Sequence, residues 1–507
     1  MKLTDVLAGC GAEQTSGGRT SVDVTGVSQD SRKVKPGDLF VAVPGAKEDG
    51  AQFVGEAVSR GAVAVVSEKT VASQVPFFKV SNARKALALI AANFYGRPAE
   101  KLTLLAVTGT NGKTTTTYLL EAMATAAYSS TGVIGTLGYK VGGQFHSTAH
   151  TTPDALELHR ILKEMVDAGV ETVVMEVSSH ALLQERVHGI TFKAAAFTNL
   201  TRDHLDYHKD MEEYFQAKRK LFVENLAQSG VAVVNGDDTF ATRIYNELRG
   251  QKRMAWKFSR QGNGEISSST DVSYSLQGIK GVLKTPAGDI PVKSRLLGPH
   301  NLENILAAAG LALGAGFARR KDVQLGIERM AGVPGRMERV ENHGPAGAPA
   351  VLVDYAHTDD ALKRALEAAR GMAKGRVIVV FGCGGERDAG KRPLMGTAAA
   401  EGADLAVLTS DNPRNENPED IISQVTPGME KGGVRRISAG KAKSGEKGYL
   451  VEADRKAAIE TAISLAKEDD VVLIAGKGHE TYQIVGTEKR PFDDREVAAR
   501  ALAIRTP

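Results

Sequence analysis

Residues Leu102 to Thr117 read LTLLAVTGTNGKTTTT. An apolar run empties into a glycine loop and then a tract of threonines, which is the pattern of a strand, a phosphate loop and a helix start. Gly109 and Gly112 let the backbone approach an anion closely, the N–H groups of the helix start have no intrahelical partner, and Lys113 adds a point charge for terminal phosphates. The loop through Gly109, Thr110, Asn111, Gly112 and Thr115 is thus the expected nucleotide cradle, and the Thr114 hydroxyl stands where it can hold Mg²⁺. The general P-loop carries a further glycine five residues before Gly112; this chain has Val107 there, so the match is to a shorter G-x-x-G-K-T form. A glycine turn that merely joins strand to helix would use the same residue types.

Around this stretch lie 507 residues, too many for one core and enough for about three domains. Lys plus Arg number 64 against 60 Asp plus Glu, so charge indicates neither a nucleic acid nor a membrane as partner. Only Cys10 and Cys383 are present, which argues against a disulfide scaffold and suits a reducing compartment. The start MKLTDVLAGCGAEQ lacks a basic segment followed by a long apolar one, and no stretch reaches the length of a membrane span; the expectation is a cytoplasmic protein.

The expected fold is α/β in three parts. Residues 1–98 carry short apolar runs, VDVTGVSQDS, GDLFVAVPG and GAVAVVSE, with a helical stretch near Gln52 to Arg60, and read as a small α/β domain. Asp30, Ser31 and Arg32 fall in a turn, where a solvated loop is the plain reading. From 99 to 336 strands and helices alternate around the phosphate loop, as in a mostly parallel sheet covered on both faces. Sites gather at the carboxyl ends of such strands. Glu176 ends one, VETVVMEVSSH, where an acid can reach a phosphate-bound Mg²⁺. The run FTNLTRDHLDYH ends another and offers Asp203, His204, Asp206 and His208 as a metal-binding cluster, with loop residues as the alternative. In the helical stretch MEEYFQAKRKLFVENL, spacing alone places Lys218 with its basic neighbours on a solvated face. Asn301, in GPHNLENILAAAGLALGAG, suits a helix cap and also an adenine edge. Gly335-Arg336 closes the domain, where an arginine can swing onto phosphate as a neighbouring domain moves.

Residues 337–507 hold four β-like runs, APAVLVDYAH, RVIVVFG, ADLAVLTSD and DDVVLIAG, separated by helical stretches: a Rossmann-like doubly wound domain. After the runs come Asp354 and His357, then GCGGERDAGKRP, SDNPRNENP and GKGHETYQ. The glycines of GCGGER suggest a dinucleotide loop, but Arg387 replaces the third glycine of G-x-G-x-x-G, which disfavours an NAD-linked oxidoreductase. Ile437 to Leu450, rich in Gly and Lys, reads as a surface loop.

Taken together, DSRKVKPGDLFVA, VTGTNGKTTT, HTTPDA, MEVSSHAL, TNLTRDHLDYH, QAKRKLF, GPHNLENILAA, GVPGRMERV, DYAHT, GCGGERDAGKRPLM, DNPR and GKGHE resemble the Mur ligase family, most closely its MurE-type, diaminopimelate-adding branch. These blocks span all three parts in order. The resemblance implies ATP-dependent amide formation, joining meso-2,6-diaminopimelate to UDP-N-acetylmuramoyl-L-alanyl-D-glutamate through an acyl phosphate during peptidoglycan precursor synthesis. It implies Lys113, Glu176, His204 and Lys218 as catalytic residues. Mg²⁺ would sit near Thr114, Glu176, His204 and Lys218, with Lys218 carbamylated; that implication sets aside the solvated-face reading.

The same resemblance puts Ser31, Thr151, Thr152, Ser178, Gln184 and Arg186 on the UDP-muramoyl dipeptide. Asn301 and Asn304 would lie by adenine, with Arg336, Asp354 and His357 on the nucleotide side. Arg387, Asp411, Asn412, Pro413, Arg414, Gly476 and Glu480 would receive diaminopimelate. Arg414 is the selective element, because a bidentate arginine can hold the distal carboxylate that lysine lacks. Thr358-Asp359 departs from the family's usual Thr-Pro-Asp. The expected partners are small molecules only, with a monomeric state. The competing readings are a lysine-adding or folate-glutamate ligase, a P-loop small-molecule kinase and a nucleotide-gated binding protein.

Overall fold

The computed structural model describes residues 1–16, 21–45, 48–205, 207–341 and 347–505. Three sheets organise them. In the first part, strands Gly26–Ser28, Asp38–Ala42, Ala64–Ser67 and Phe77–Lys79 run parallel, and Glu13–Ser16 pairs antiparallel with the last. The helix Ala83–Phe94 covers one face, opened by Asn82, whose Oδ1 accepts from Lys85 N at 2.9 Å.

The central sheet has twelve strands among the described residues. Its middle strand is Thr103–Thr108, flanked in parallel by Thr172–Glu176 and Phe192–Phe197. Leu104 to Val107 are buried on both faces, as a covered parallel strand requires. Antiparallel strands finish both edges. Helices Lys113–Ala126 and Pro299–Gly314 pack on one face. Ile305, Leu306 and Leu311 in the second are fully buried, each worth about 1.5–3 kcal/mol of transfer free energy.

The third sheet has six strands, five of them parallel: Ala350–Asp354, Val471–Ala475, Val377–Phe381, Leu405–Leu408 and Gly448–Val451 in spatial order. Glu338–Arg339 adds an antiparallel edge. Helices cover both faces, giving one apolar core on each side.

Three local readings change. Asn301 is not the cap of its helix: Gly298 precedes Pro299, and Asn301 lies buried in the first turn, donating Nδ2 to Leu297 O at 2.7 Å. A proline at the first helical position suits a helix start, because its fixed φ is helical and the N–H it lacks would have had no intrahelical partner. Ile437 to Leu450 is no loop but holds a helix, Ala439–Ser444, and the edge strand Gly448–Val451; Ser438 caps that helix and tertiary pairing recruits the strand. Lys218 is buried, while its neighbours Arg219 and Lys220 form ion pairs with Glu247 and Glu185. One turn of helix thus carries two faces that charge alone does not separate.

Candidate active site

The carboxyl ends of the central and third sheets face each other. Asn111 Nδ2 reaches Asp360 Oδ2 at 3.2 Å across the gap, Arg336 Nη2 donates to Thr114 Oγ1 at 3.3 Å, and Arg202 lies 3.7 Å from Asp388. The site is therefore assembled from loops at strand ends of two domains.

On the central side the phosphate loop is built as a cradle. Gly112 adopts φ +88°, and a Cβ there would come within 2.3 Å of Asn304 Oδ1. Lys113 is half-buried and folds back, donating to Gly109 O at 2.9 Å and Thr110 O at 2.8 Å. Burial holds its amine below the usual lysine range, against the nearby Glu176 and Asp203 carboxylates. Lys218 enters beneath the loop from the helix Met211–Lys220, its ammonium 2.8 Å from Gly109 O and 4.6 Å from the Tyr214 ring centroid. Burial, and then the Lys113 charge, push it well below the lysine range.

Glu176 accepts from Thr136 N at 2.9 Å and Thr136 Oγ1 at 3.0 Å, which fixes its carboxylate at the strand end. Asp203 and His204 stand together, Nε2 to Oδ2 3.4 Å, and burial pushes the imidazole down to about 4 against the pull of Asp203. The expected His–Asp cluster does not form as read: His208 turns inward, Nε2 2.9 Å from Ser179 Oγ, and Asp206 lies outside the described residues. A buried histidine beside a serine satisfies the core rather than an ion.

Among the described residues no three His, Cys, Asp or Glu side chains converge as a complete metal site. What gathers at the loop is oxygen: the Thr114 hydroxyl and the Glu176 carboxylate. Hard donors of this kind fit Mg²⁺ when phosphate supplies its remaining ligands. Lys218 as a free amine is no such donor; as a carbamate it would be one.

Asn301, Asn304, Arg336, Asp354 and His357 line one small cavity with Asn111, Gly112 and Thr115, so the nucleotide-side residues named from sequence do come together. Arg336 stacks over Tyr355, its Cζ 4.5 Å from the ring centroid. The same cavity is lined by Glu303 and Arg364, 3.5 Å apart across the two domains, which motif reading overlooked. No local pattern distinguishes them from solvated helix charges.

Towards the first domain, Thr152 Oγ1 donates to Glu176 O at 2.9 Å and accepts from Ser178 N at 3.0 Å, while Arg186 Nη1 donates to Thr152 O at 2.6 Å and its Nη2 to Gln184 Oε1 at 2.8 Å. Thr151 joins through Thr136, 3.2 Å between hydroxyls. Ser31 is buried rather than solvated, its hydroxyl donating to Glu56 Oε2 at 2.7 Å, on the wall of a cleft of about 1140 Å³ shared with Asp154 and Arg160 of the central domain.

A further cavity, of about 330 Å³, lies between the central and third domains. Arg387, Asp411, Asn412, Arg414, Gly476 and Glu480 all line it, facing Asp203 and His204; Pro413 is not part of its wall. Arg414 has φ +53° and is braced by Nη1 to Gly385 O at 2.7 Å. Among the described residues Asp411 Oδ1 is buried with no hydrogen-bond partner, and the ammonium of Lys477 lies 3.6 Å from it. Three guanidinium groups, the Lys391 ammonium and five carboxylates line this one cavity, which suits a ligand carrying both charges.

Three family models match the chain: Mur ligase family, catalytic domain, over residues 23–95; Mur ligase middle domain over 107–312; and Mur ligase, glutamate ligase domain, over 335–478. A relative from Gloeobacter violaceus, named UDP-N-acetylmuramoyl-L-alanyl-D-glutamate–2,6-diaminopimelate ligase, is 47% identical over 511 residues, covering 100% of this chain and 99% of its own. A solved structure of an enzyme of that name superposes with a TM-score of 0.70 at 33% identity, covering 99% of this chain and 98% of the other. The MurF ligase of Thermotoga maritima, solved in complex with ADP, shares the fold at 20% identity with a TM-score of 0.59, over 94% of this chain and 95% of its own.

Proposed function

The chain belongs to the Mur ligase family, and on that premise we propose that it joins meso-2,6-diaminopimelate to UDP-N-acetylmuramoyl-L-alanyl-D-glutamate at the expense of ATP. The observation that carries this reading is the cavity where Arg387, Arg414 and Glu480 face the phosphate-loop side across the domain junction. A distal carboxylate pairs with guanidinium and a distal ammonium with Glu480; a lysine substrate would leave the arginines unmatched. No helix among the described residues is long and apolar enough to cross a membrane, and the reaction is assigned to the cytoplasm, where its nucleotide substrates occur.

The chemistry divides between the domains. The phosphate loop and Lys113 hold the γ-phosphate while the D-glutamyl carboxylate oxygen attacks phosphorus and ADP leaves. The diaminopimelate amine then attacks the acyl carbon, phosphate departs and the nitrogen loses its proton, leaving the amide. Thr114, Glu176, His204 and a carbamylated Lys218 would hold Mg²⁺, which when bound offsets the charge on phosphoryl oxygens. Lys218 is suited to carbamylation because it is buried, meets a carbonyl and forms no ion pair among the described residues. Asn301 and Asn304 border the adenine, and Arg336 follows the phosphates as the third domain closes. Ser31, Thr151, Thr152, Ser178, Gln184 and Arg186 lie along the path of the UDP substrate.

The deciding assay is phosphate release from ATP and Mg²⁺ with the UDP-dipeptide, comparing meso-diaminopimelate with L-lysine and identifying the product by mass. Release confined to diaminopimelate, with a tripeptide product, is expected. Preference for lysine refutes the pocket assignment, and amine-independent release of phosphorylated substrate would make the chain a kinase.

A further inference from the structure

Lys477 has no role in the reaction as described. It lies between Gly476 and Gly478, just after the strand Val471–Ala475, and its side chain is fully buried. Its ammonium is 3.0 Å from Glu480 Oε2, 3.1 Å from Asn412 Oδ1 and 3.6 Å from Asp411 Oδ1. Asn412 completes a frame: its Nδ2 donates to the same Glu480 Oε2 at 2.9 Å, and its Oδ1 also accepts Ile484 N–H at 2.9 Å. Glu480 Oε2 thus receives two protein donors, while Oε1 keeps its capacity for a ligand.

We infer that Lys477 is a positioning and specificity residue of the amino-acid site, holding Glu480 so that one oxygen stays free for the distal ammonium and offsetting the surplus negative charge of Asp411 and Glu480. The inference rests on the diaminopimelate reading. Two uncompensated carboxylates in a shared buried wall attract any cation and repel an anion. Without Lys477 the cavity would favour a distal end that is ammonium alone, as in lysine, over one that also carries a carboxylate. With Lys477 present, the distal carboxylate meets Arg387 and Arg414 in a wall without excess negative charge. Lys477 therefore acts on substrate choice through Glu480 and Asp411, without touching substrate.

The test uses the full-length enzyme carrying Lys477→Met, Lys477→Gln, Glu480→Gln and the double variant Lys477→Met/Glu480→Gln. Phosphate release gives kcat and KM for meso-diaminopimelate, L-lysine, ATP and the UDP-dipeptide; thermal unfolding with and without ADP shows which variants fold. Lys477→Met is expected to raise KM for diaminopimelate by about tenfold or more and to lower the diaminopimelate-to-lysine ratio of kcat/KM by at least as much, with KM for ATP unchanged. Lys477→Gln, which keeps a donor but not the charge, should fall between. In the Glu480→Gln background the Lys477→Met effect should shrink to roughly threefold or less. An unchanged ratio with kcat lowered equally for both amino acids, or full additivity in the double variant, overturns the inference; if the Met variant does not fold, the Gln variant carries the same ratio test. A wild-type enzyme inactive with diaminopimelate refutes the function itself, whereas an active wild type with indifferent Lys477 variants refutes only this role.

Discussion

Replacing Asp494 with asparagine should destabilise the third domain and loosen the amino-acid site, although Asp494 touches no ligand. Its carboxylate pairs with Arg455 through Nε at 2.8 Å and Nη2 at 2.7 Å, and both side chains are wholly inaccessible to solvent. Arg455 also donates to Ala475 O at 3.0 Å and Ser410 O at 3.4 Å, the last residues before the GKGHE and DNPR segments. Asparagine preserves volume but leaves a buried guanidinium without its counter-charge, a loss of about 3–5 kcal/mol. For a domain of this size each kcal/mol moves Tm by about 2–4 °C, so the transition of the third domain should fall by roughly 6–20 °C. Calorimetry with and without ADP identifies which transition moves, and steady-state kinetics should show KM for diaminopimelate rising more than KM for ATP. Arg455→Met combined with Asp494→Leu should recover much of the stability, because the pair's desolvation is then removed from both sides. A Tm change below about 2 °C for Asp494→Asn would refute the reasoning, since no buried charge could then be uncompensated.

Arg414→Ala should lower kcat/KM for diaminopimelate by about one to two orders of magnitude while lysine is little affected; unchanged selectivity in competition assays would remove the argument from DNPR. Lys218→Ala should lose roughly 100-fold or more in phosphate release, with partial return on adding a small carboxylate, and wild-type protein should carry the added mass of one CO₂ at this residue; full activity without additive would sink the carbamate assignment. His159 is buried, its ring nitrogens have no hydrogen-bond partner among the described residues, and burial pushes its pKa down from 6.5 to about 4. The unfolded chain therefore takes up a proton that the folded chain refuses, and stability that is full above pH 6.5 should decline by up to roughly 3 kcal/mol as pH falls towards 4. His159→Leu should flatten that part of a denaturation-against-pH series, and an unaltered slope would contradict the assignment.

The sequence alone determined the strand–loop–helix unit at Leu102–Thr117, the alternation that makes two parallel sheets, and the motifs at their strand ends. These are legible because hydrophobic period, glycine placement and strand-end position are local properties. The inward turn of His208, the recruitment of Gly448–Val451 as an edge strand, and the burial of Lys218 beside half-buried, ion-paired neighbours were not legible. Each depends on which face a helix or strand presents once other elements pack against it, and residue type alone does not carry that. The partnership of Lys477 with Asn412 and Glu480 joins segments 65 and 3 residues away. Only tertiary structure decides such a frame, because the energy of a buried charge is set by the partners that folding brings within about 3–4 Å and by the water it removes.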